Sequence, residues 1–497
     1  MPFLRCFSLG SRPRIASLRR GRRVGRPAST VQGRLHPRAV LVVVVAAAVM
    51  DQLDTTIVNV AGPAVRADLG GGAATIQWLV AGYTLAFAVL LVTGGRLGDL
   101  FGRRRMFLLG VVGFTVASLG CGLAGSPGVL IAGRVIQGCF GALLIPQGLG
   151  ILKTVFAPEQ LGGAYGAFAP ALGFASIGGP ILAGALIGAD VLGLGWRAVF
   201  LINLPLGIAA FFGAVCVLPP DEDRRRSDTG LDLLGTLLLT GASLLIIYPV
   251  VQGRASGWPW WTAAMLAGGL LTFIAFVGYE RTTSRPPVIE PRLMADRVFL
   301  SGLAVAVVFF AAVAGLLLVL SLFTQTALHF TPLHAGLTGL PVSIGIAITA
   351  SRSRALMSRF GRWVLHDGLG IMTLGLLGLA ATVAHEQLHT STPSLAPALF
   401  VIGLGMGLVF GPLFATVLGG IRDHETGSAS GTLAAVQQLG GALGVAGLTT
   451  LFLTTAHGAQ QGDAAMTTTS LAAAAMTATA FLLAFLLPKR PNPDAPQ

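Results

Sequence analysis

The chain has 497 residues, of which 54% are hydrophobic and only 11% charged, and it carries a formal charge of +13. A soluble domain carries about 25% charged residues, so the composition excludes a water-soluble fold and indicates a polytopic helical membrane protein. The basic residues are almost all Arg and fall in short loops and one tail, a pattern of topogenic charge rather than of a nucleic-acid surface.

Residues 1–37 form an Arg-rich tail without acids. It resembles the start of a signal peptide, and Arg19-Arg20 and Arg22-Arg23 resemble a twin-arginine signal, but the apolar stretch that follows holds two acids and lacks a convincing cleavage site. A cytoplasmic tail is expected. Fourteen apolar runs follow, each long enough to cross about 30 Å of hydrocarbon as a helix. They cover 39–60, 76–96, 106–125, 128–152, 163–188, 198–218, 231–251, 261–279, 299–327, 333–351, 364–384, 395–419, 429–454 and 468–487, the ninth being over-long. With the N-terminus inside, 29 of the 33 Lys and Arg fall on the cytoplasmic side, and only Arg66, Arg197 and Arg254 fall outside. Arg134 stays within a span. This split supports fourteen spans with both ends in the cytoplasm. The polar loops 219–228 and 280–297 separate the seventh and eighth spans from six on either side. Trp258, Trp260 and Trp261 sit at the outer end of that pair, as headgroup-level anchors do.

The first span contains VMDQLDTTIVNV, with Asp51 and Asp54 three residues apart and so on one helical face. A charged Asp at the bilayer centre costs about 2.5–3.5 kcal/mol. Burial favours the neutral form of an acid, and a second acid nearby favours it again. Such a pair suits proton exchange, with an added role as an anchor for cationic substrate; either acid could carry the proton. The turn GGRLGDLFGRRR joins spans two and three. Its Gly95, Asp99, Gly102, Arg103 and Arg104 read as a conformational latch. In span four, GRVIQGCFGALLIPQG places Arg134 and Gln137 on one face, and a permanent cation there needs an intramembrane acid. Span five, GFASIGGPILAGALIG, is a thin helix able to kink and to pack closely, with Gly179, Pro180 and Gly184 at its centre.

These stretches, in this order, resemble the major facilitator superfamily, and specifically its fourteen-span drug:proton antiporter branch of the EmrB/QacA type. LDTTIVNVAGP is similar to the first-span signature of that branch, although Gly62 stands where Leu is usual. QWLVAGYTLA, RVIQGCFGALLIPQ, GGPILAGALIG and WRAVFLINLPLG resemble its second, fourth, fifth and sixth spans. The loop signature departs at Leu100, where a basic residue is usual, and SRSRALMSRFGRW is only a faint echo of it in the second half. The resemblance implies an all-α membrane fold with two six-helix bundles, 38–218 and 298–487. The linker loops and inserted helix pair occupy 219–297, and the tails are 1–37 and 488–497. It implies proton coupling through Asp54, Asp51 and Arg134, an outward-facing state stabilised by Asp99 and Arg103, and a hinge or seal in span five.

The expected function is proton-coupled export of drug-like or antibiotic-like molecules, often cationic or amphipathic, across a bacterial plasma membrane by a monomer. The alternative is a proton-linked transporter of one specific metabolite. Asn59, Gln77, Gln137 and Phe87 are the candidate substrate-cavity residues, together with Phe323 and Gln325. His385 and His389 form the string HEQLH, which matches a zinc-protease pattern, but it sits in a short external loop with no third ligand in sight. No enzyme, metal, cofactor or nucleic-acid role is expected, and the absence of a phosphate-binding loop argues against ATP-driven export.

Overall fold

The computed structural model describes residues 37–156, 171, 175, 178–221, 232–253, 256–283, 292–419, 421, 426–456 and 461–488. The N-terminal tail, most of the fifth span and the ends of several loops lie outside the described residues. Sixteen helices are described, numbered here in chain order. They are α1 (Pro37–Leu69), α2 (Ala73–Phe101), α3 (Arg103–Gly122), α4 (Pro127–Val155), α5 (Gly178–Ala189), α6 (Arg197–Leu201), α7 (Asn203–Val217) and α8 (Leu233–Gln252). Then come α9 (Trp260–Thr282), α10 (Arg297–Leu322), α11 (Pro332–Thr338), α12 (Leu340–Phe360), α13 (Trp363–Glu386), α14 (Thr392–Leu418), α15 (Thr426–Thr455) and α16 (Gly462–Leu483). Among the described residues, thirteen helical segments are long and apolar enough to cross a membrane, and α5 is the described end of the predicted fifth span.

Hydropathy located the spans but not the helix ends. The first apolar run stops near residue 60, whereas α1 continues for 33 residues to Leu69, about 50 Å at 1.5 Å per residue. A helix does not have to end where the bilayer does. Its polar tip is held by partners. Asp68 accepts hydrogen bonds from the Trp196 indole at 3.0 Å and from Arg197 at 2.6 Å, which ties the end of α1 to the start of α6. The ninth run is likewise two elements, α10 and a π-turn over Phe323–Ala327, and the tenth is α11 followed by α12. Helix starts at loop edges carry the expected caps. Asp296 accepts from the Val298 and Phe299 amides at 2.8 and 3.1 Å, and Ser126 and Thr331 cap α4 and α11, each followed by proline at the first helical position.

Small residues allow the helices to approach closely, as lipid-embedded packing requires. In the second half a Cβ on Gly444 would meet the Ala311 carbonyl oxygen at 1.9 Å, so α10 and α15 touch backbone to backbone. Helix α8 lies against α2 and α15, and α9 packs on α8. Trp78, Tyr248 and Trp261 form a chain of rings from α2 through α8 to α9, with centroids 6.0 Å apart at each step. The outer face of α9 exposes Leu270, Leu271, Phe273 and Ile274, as a lipid-facing helix does.

Helices α1–α5 meet α10–α15 at one end of the bundle. The Ser321 hydroxyl donates to the Asn59 carbonyl at 2.8 Å, and the Gln325 amide donates to the Val60 carbonyl at 3.2 Å. Gln77 donates to the Ala446 carbonyl at 3.2 Å and to the Thr450 hydroxyl at 2.9 Å. Span five completes this end. A Cβ on Gly184 would stand 2.4 Å from the Leu333 Cα, and one on Gly336 would stand 2.5 Å from the Pro180 carbonyl oxygen. This end is opposite to the one bearing Arg103–Arg105 and is closed.

Candidate functional site

Asp54 is the centre of a buried polar cluster whose side chains come from four helices. From α1 its carboxylate meets the Arg134 guanidinium of α4 in a salt bridge through Oδ2. Its Oδ1 accepts from the Gln137 amide at 2.9 Å and from the Asn203 amide of α7 at 2.7 Å. Gln137 and Asn203 both donate to Ser118 of α3, at 3.3 and 2.9 Å, and Ser118 in turn donates to the Phe200 carbonyl. Arg134 makes two further bonds, to Gln137 Oε1 at 2.7 Å and to the Leu79 carbonyl at 3.0 Å. Asp54 and Arg134 are each 1% exposed. Side chains i and i+3 share a helix face, which is why Arg134 and Gln137 converge on one acid.

Asp51 stands one turn earlier on α1 in a different setting. Its Oδ1 accepts a short hydrogen bond from the Tyr83 hydroxyl of α2. The Tyr83 ring lies under Arg134, with the guanidinium carbon 4.4 Å from the ring centroid, a cation–π arrangement. Tyr83 therefore touches both acids' surroundings, with its hydroxyl on Asp51 and its ring against the partner of Asp54. Phe87 stacks on Tyr83 with centroids 5.9 Å apart.

Of the expected site residues, Asp51, Asp54, Arg134, Gln137 and Phe87 come together here. Gln137 spends both ends of its amide inside the cluster. Gln77 lies at the α2–α15 contact, and Asn59 has a buried Oδ1 without a hydrogen-bond partner among the described residues. Phe323 and Gln325 lie in the π-turn. Gly179 rests on Thr56 of α1, where a Cβ would come within 2.0 Å of the hydroxyl. Charge patterning along the chain does not point to Tyr83, Asn203 or Ser118. A neutral polar side chain within an apolar span was the available signal.

The turn between α2 and α3 has its own arrangement. Gly102 holds a φ of 99°, a conformation that favours glycine, and ends α2 while starting α3. A Cβ there would also meet the Asp221 carboxylate at 2.3 Å. Asp221, from the loop after α7, accepts from the backbone amides of Arg104 and Arg105 at 2.9 and 3.1 Å. It thus places an anion at the α3 N-terminus, where the unpaired amides and the helix dipole favour one. Arg104 also donates to the Val215 carbonyl at 2.7 Å, and Arg103 lies over Gly150 of α4. Gly95 faces Pro146. The Asp99 side chain lies outside the described residues. Asp221→Ala is expected to destabilise the purified protein by about 1 kcal/mol, the usual worth of such a cap, read as a lowered midpoint of thermal unfolding.

The family model described as Major Facilitator Superfamily matches residues 44–445. A probable actinorhodin transporter of Streptomyces coelicolor is 47% identical over 418 residues, which cover 83% of this chain and 72% of that protein. The tetracenomycin C resistance and export protein of Streptomyces glaucescens is 35% identical, over 84% of this chain and 76% of the relative. A puromycin resistance protein of Streptomyces alboniger is 36% identical, over 83% and 81%. Two solved transporter structures share the fold at 15% sequence identity. One is a peptide transporter of the POT family (TM-score 0.61, 90% of this chain and 96% of that one), and the other a bacterial homologue of the lysosomal transporter Spinster (TM-score 0.63, 91% and 97%). Membrane-spanning helices, a buried acid–arginine cluster, the family match and antibiotic-exporting relatives agree: the chain belongs to the Major Facilitator Superfamily, as a transporter rather than an enzyme, and its relatives fit the drug:proton antiporter branch.

Proposed function

We propose that the chain is a proton-coupled antiporter that exports antibiotic-like organic molecules across the bacterial plasma membrane, with both termini in the cytoplasm. The observation that carries this reading is the charge count of the buried cluster, in which two carboxyl groups, Asp54 paired with Arg134 and Asp51 bonded to Tyr83, stand beside one guanidinium. With Asp51 and Asp54 both ionised the cluster holds one net negative charge; with one proton bound it is neutral. Low-dielectric surroundings make that difference large, so binding one proton changes which conformation is favoured. Each proton entering down a potential of 100 mV supplies about 2.3 kcal/mol.

The moving parts are proposed to be the helices of 38–218 and of 298–487, with 219–297 inserted between them, rocking about a site near the midplane. With the Arg103–Arg105 end in the cytoplasm, the end closed by Asn59, Gln325, Gly184 and Gly336 faces outward. Substrate then loads from inside. Opening of the outer end parts α2 from α15, which frees the Gln77 amide. Gln77, Asn59 and Phe87 are proposed to meet the substrate, with Gly179, Pro180 and Gly184 forming the seal. Gly95, Asp99, Gly102, Arg103 and Arg104 are proposed to form the latch at the inner end.

Everted membrane vesicles energised to an acid interior test this reading. Actinorhodin, tetracenomycin C, puromycin and ethidium are added in turn while the pH gradient is followed. Collapse of the gradient by at least one of them, only in vesicles containing the chain, is expected. No collapse by any of them, with collapse by a labelled sugar or amino acid instead, would favour a transporter of one metabolite and overturn the export reading.

A further inference from the structure

We propose that a groove between the inserted helix pair and the second half of the chain seats one anionic phospholipid, with an acyl chain between the helices and the headgroup on Arg281. With the Arg103–Arg105 end in the cytoplasm, as proposed above, this lipid belongs to the inner leaflet. Its binding does not depend on proton coupling.

Helix α9 packs on α8, and the pair meets the rest of the chain through α8, which lies against α2 and α15. Leu239 of α8 and Phe276 of α9 are buried in a small apolar cluster of their own, separate from the large core that holds Phe299 of α10. A seam runs between the two clusters, and it is open. A groove of about 250 Å³ follows it, walled by Leu239 and Phe276 on one side and by Phe299, Leu303, Val436 and Leu439 on the other. Phe273 and Leu300 also line it and are 43% and 45% exposed, so they form its rim. Phe273 shares a helix face with Leu270 and Ile274, which places the rim on the lipid-facing side of α9.

Depth and charge both fit a lipid of one leaflet. Along α9 the lining runs from Arg281 back to Phe273, about 12 Å of helix. One leaflet contributes about 15 Å of hydrocarbon, so the groove stays within it. Arg281 is the charged member of the lining, which is otherwise apolar except for Thr432. It stands in the last turn of α9 and is exposed. Among the described residues it makes no ion pair. The acids near it in the chain face other partners. Asp232 accepts from the Gly235 amide at 3.0 Å and from the Tyr279 hydroxyl at 2.8 Å. Asp296 caps α10. Glu280 is fully buried against α8, where a Cβ on Gly235 would stand 2.6 Å from its Oε1. Arg297, the first residue of α10, is exposed and adds a second cation at the same end. An arginine at the end of an apolar slot matches a phosphodiester, which its N–H fork meets at headgroup level. A cationic amphipath would be repelled at that point. The bound lipid fills the seam and fastens α8 and α9 to α10 and α15.

The test uses the full-length chain in mild detergent, offered dioleoylphosphatidylglycerol and dioleoylphosphatidylcholine in equal amounts, with retained lipid counted by native mass spectrometry. The intact chain is expected to retain one phosphatidylglycerol, preferred over phosphatidylcholine by about fivefold, the weight of one arginine near a membrane surface. Arg281 is exposed, so Arg281→Gln leaves the packing intact; it is expected to abolish the preference and leave weak retention that ignores the headgroup. Leu300→Trp, also at an exposed position, is expected to fill the groove and lower retention of both lipids. Equal retention of the two lipids by the intact chain, a preference that survives Arg281→Gln, or retention unchanged in Leu300→Trp overturns the proposal. So does displacement of the retained lipid by actinorhodin, which would make the groove an entry path for that compound. Proton-driven transport is measured on the same preparation. A chain that retains the anionic lipid and does not couple protons loses the antiport reading and keeps this one.

Discussion

Removing either Asp54 or Arg134 alone is expected to cost the folded protein about 3–5 kcal/mol, because each substitution leaves its partner as an unpaired buried charge. Arg134→Gln strands the Asp54 carboxylate among amides, and Asp54→Asn leaves the guanidinium beside two amide donors. Low yields from the membrane and a sharply lowered unfolding midpoint are the expected readouts. The double variant Asp54→Asn with Arg134→Gln carries no stranded charge and is expected to recover most of the loss. Replacing a buried ion pair by neutral groups of similar shape is commonly near neutral for stability. A double variant as unstable as either single one would show that the cluster depends on charge beyond this pair.

Gly184→Val is expected to act on the conformational equilibrium rather than on the fold. The obstacle is backbone, with the Leu333 Cα at 2.4 Å and the Pro332 carbonyl oxygen at 2.6 Å from the position of a Cβ. No rotamer change can clear it, so the two sides of the seam must separate. Overpacking of this kind costs about 1–3 kcal/mol, enough to shift a two-state population by roughly fivefold to 150-fold. Only the state closed at this end bears that cost. Gly336→Ala presses on the Pro180 carbonyl from the other side of the same seam and should shift the equilibrium in the same direction. Labelling of a cysteine placed at Asn59 measures the opening. Faster labelling in both variants, with unfolding midpoints close to that of the parent, is expected; unchanged labelling would mean that span five does not form the seal.

How much of this could be read in advance depended on charge. An arginine inside an apolar run demands an acid, so a pairing of Arg134 with an intramembrane acid was legible, but which acid was not; the structure pairs it with Asp54. Tyr83, Asn203 and Ser118 were not legible, because neutral hydroxyls and amides impose no such demand and their partners lie far along the chain. Asp221 is more than a hundred positions from the turn that it caps, and periodicity within one helix contains nothing about it. The spans were legible from hydropathy, whereas helix ends were not. Hydropathy reports the bilayer, and α1 extends past it because Asp68 finds Trp196 and Arg197 beyond the apolar run. The glycines and proline of span five were legible as a thin helix, but their opposing surface on α11 required the fold.

The most direct measurement is proton-driven transport by the purified chain alone. The protein is reconstituted into liposomes, an inside-acid pH gradient is imposed, and accumulation of actinorhodin is followed together with proton efflux. Accumulation that requires the gradient, with protons leaving as the probe enters and no effect in empty liposomes, is the predicted result. Accumulation indifferent to the gradient, or a gradient that decays at the same rate with and without the probe, would contradict proton-coupled antiport by this chain.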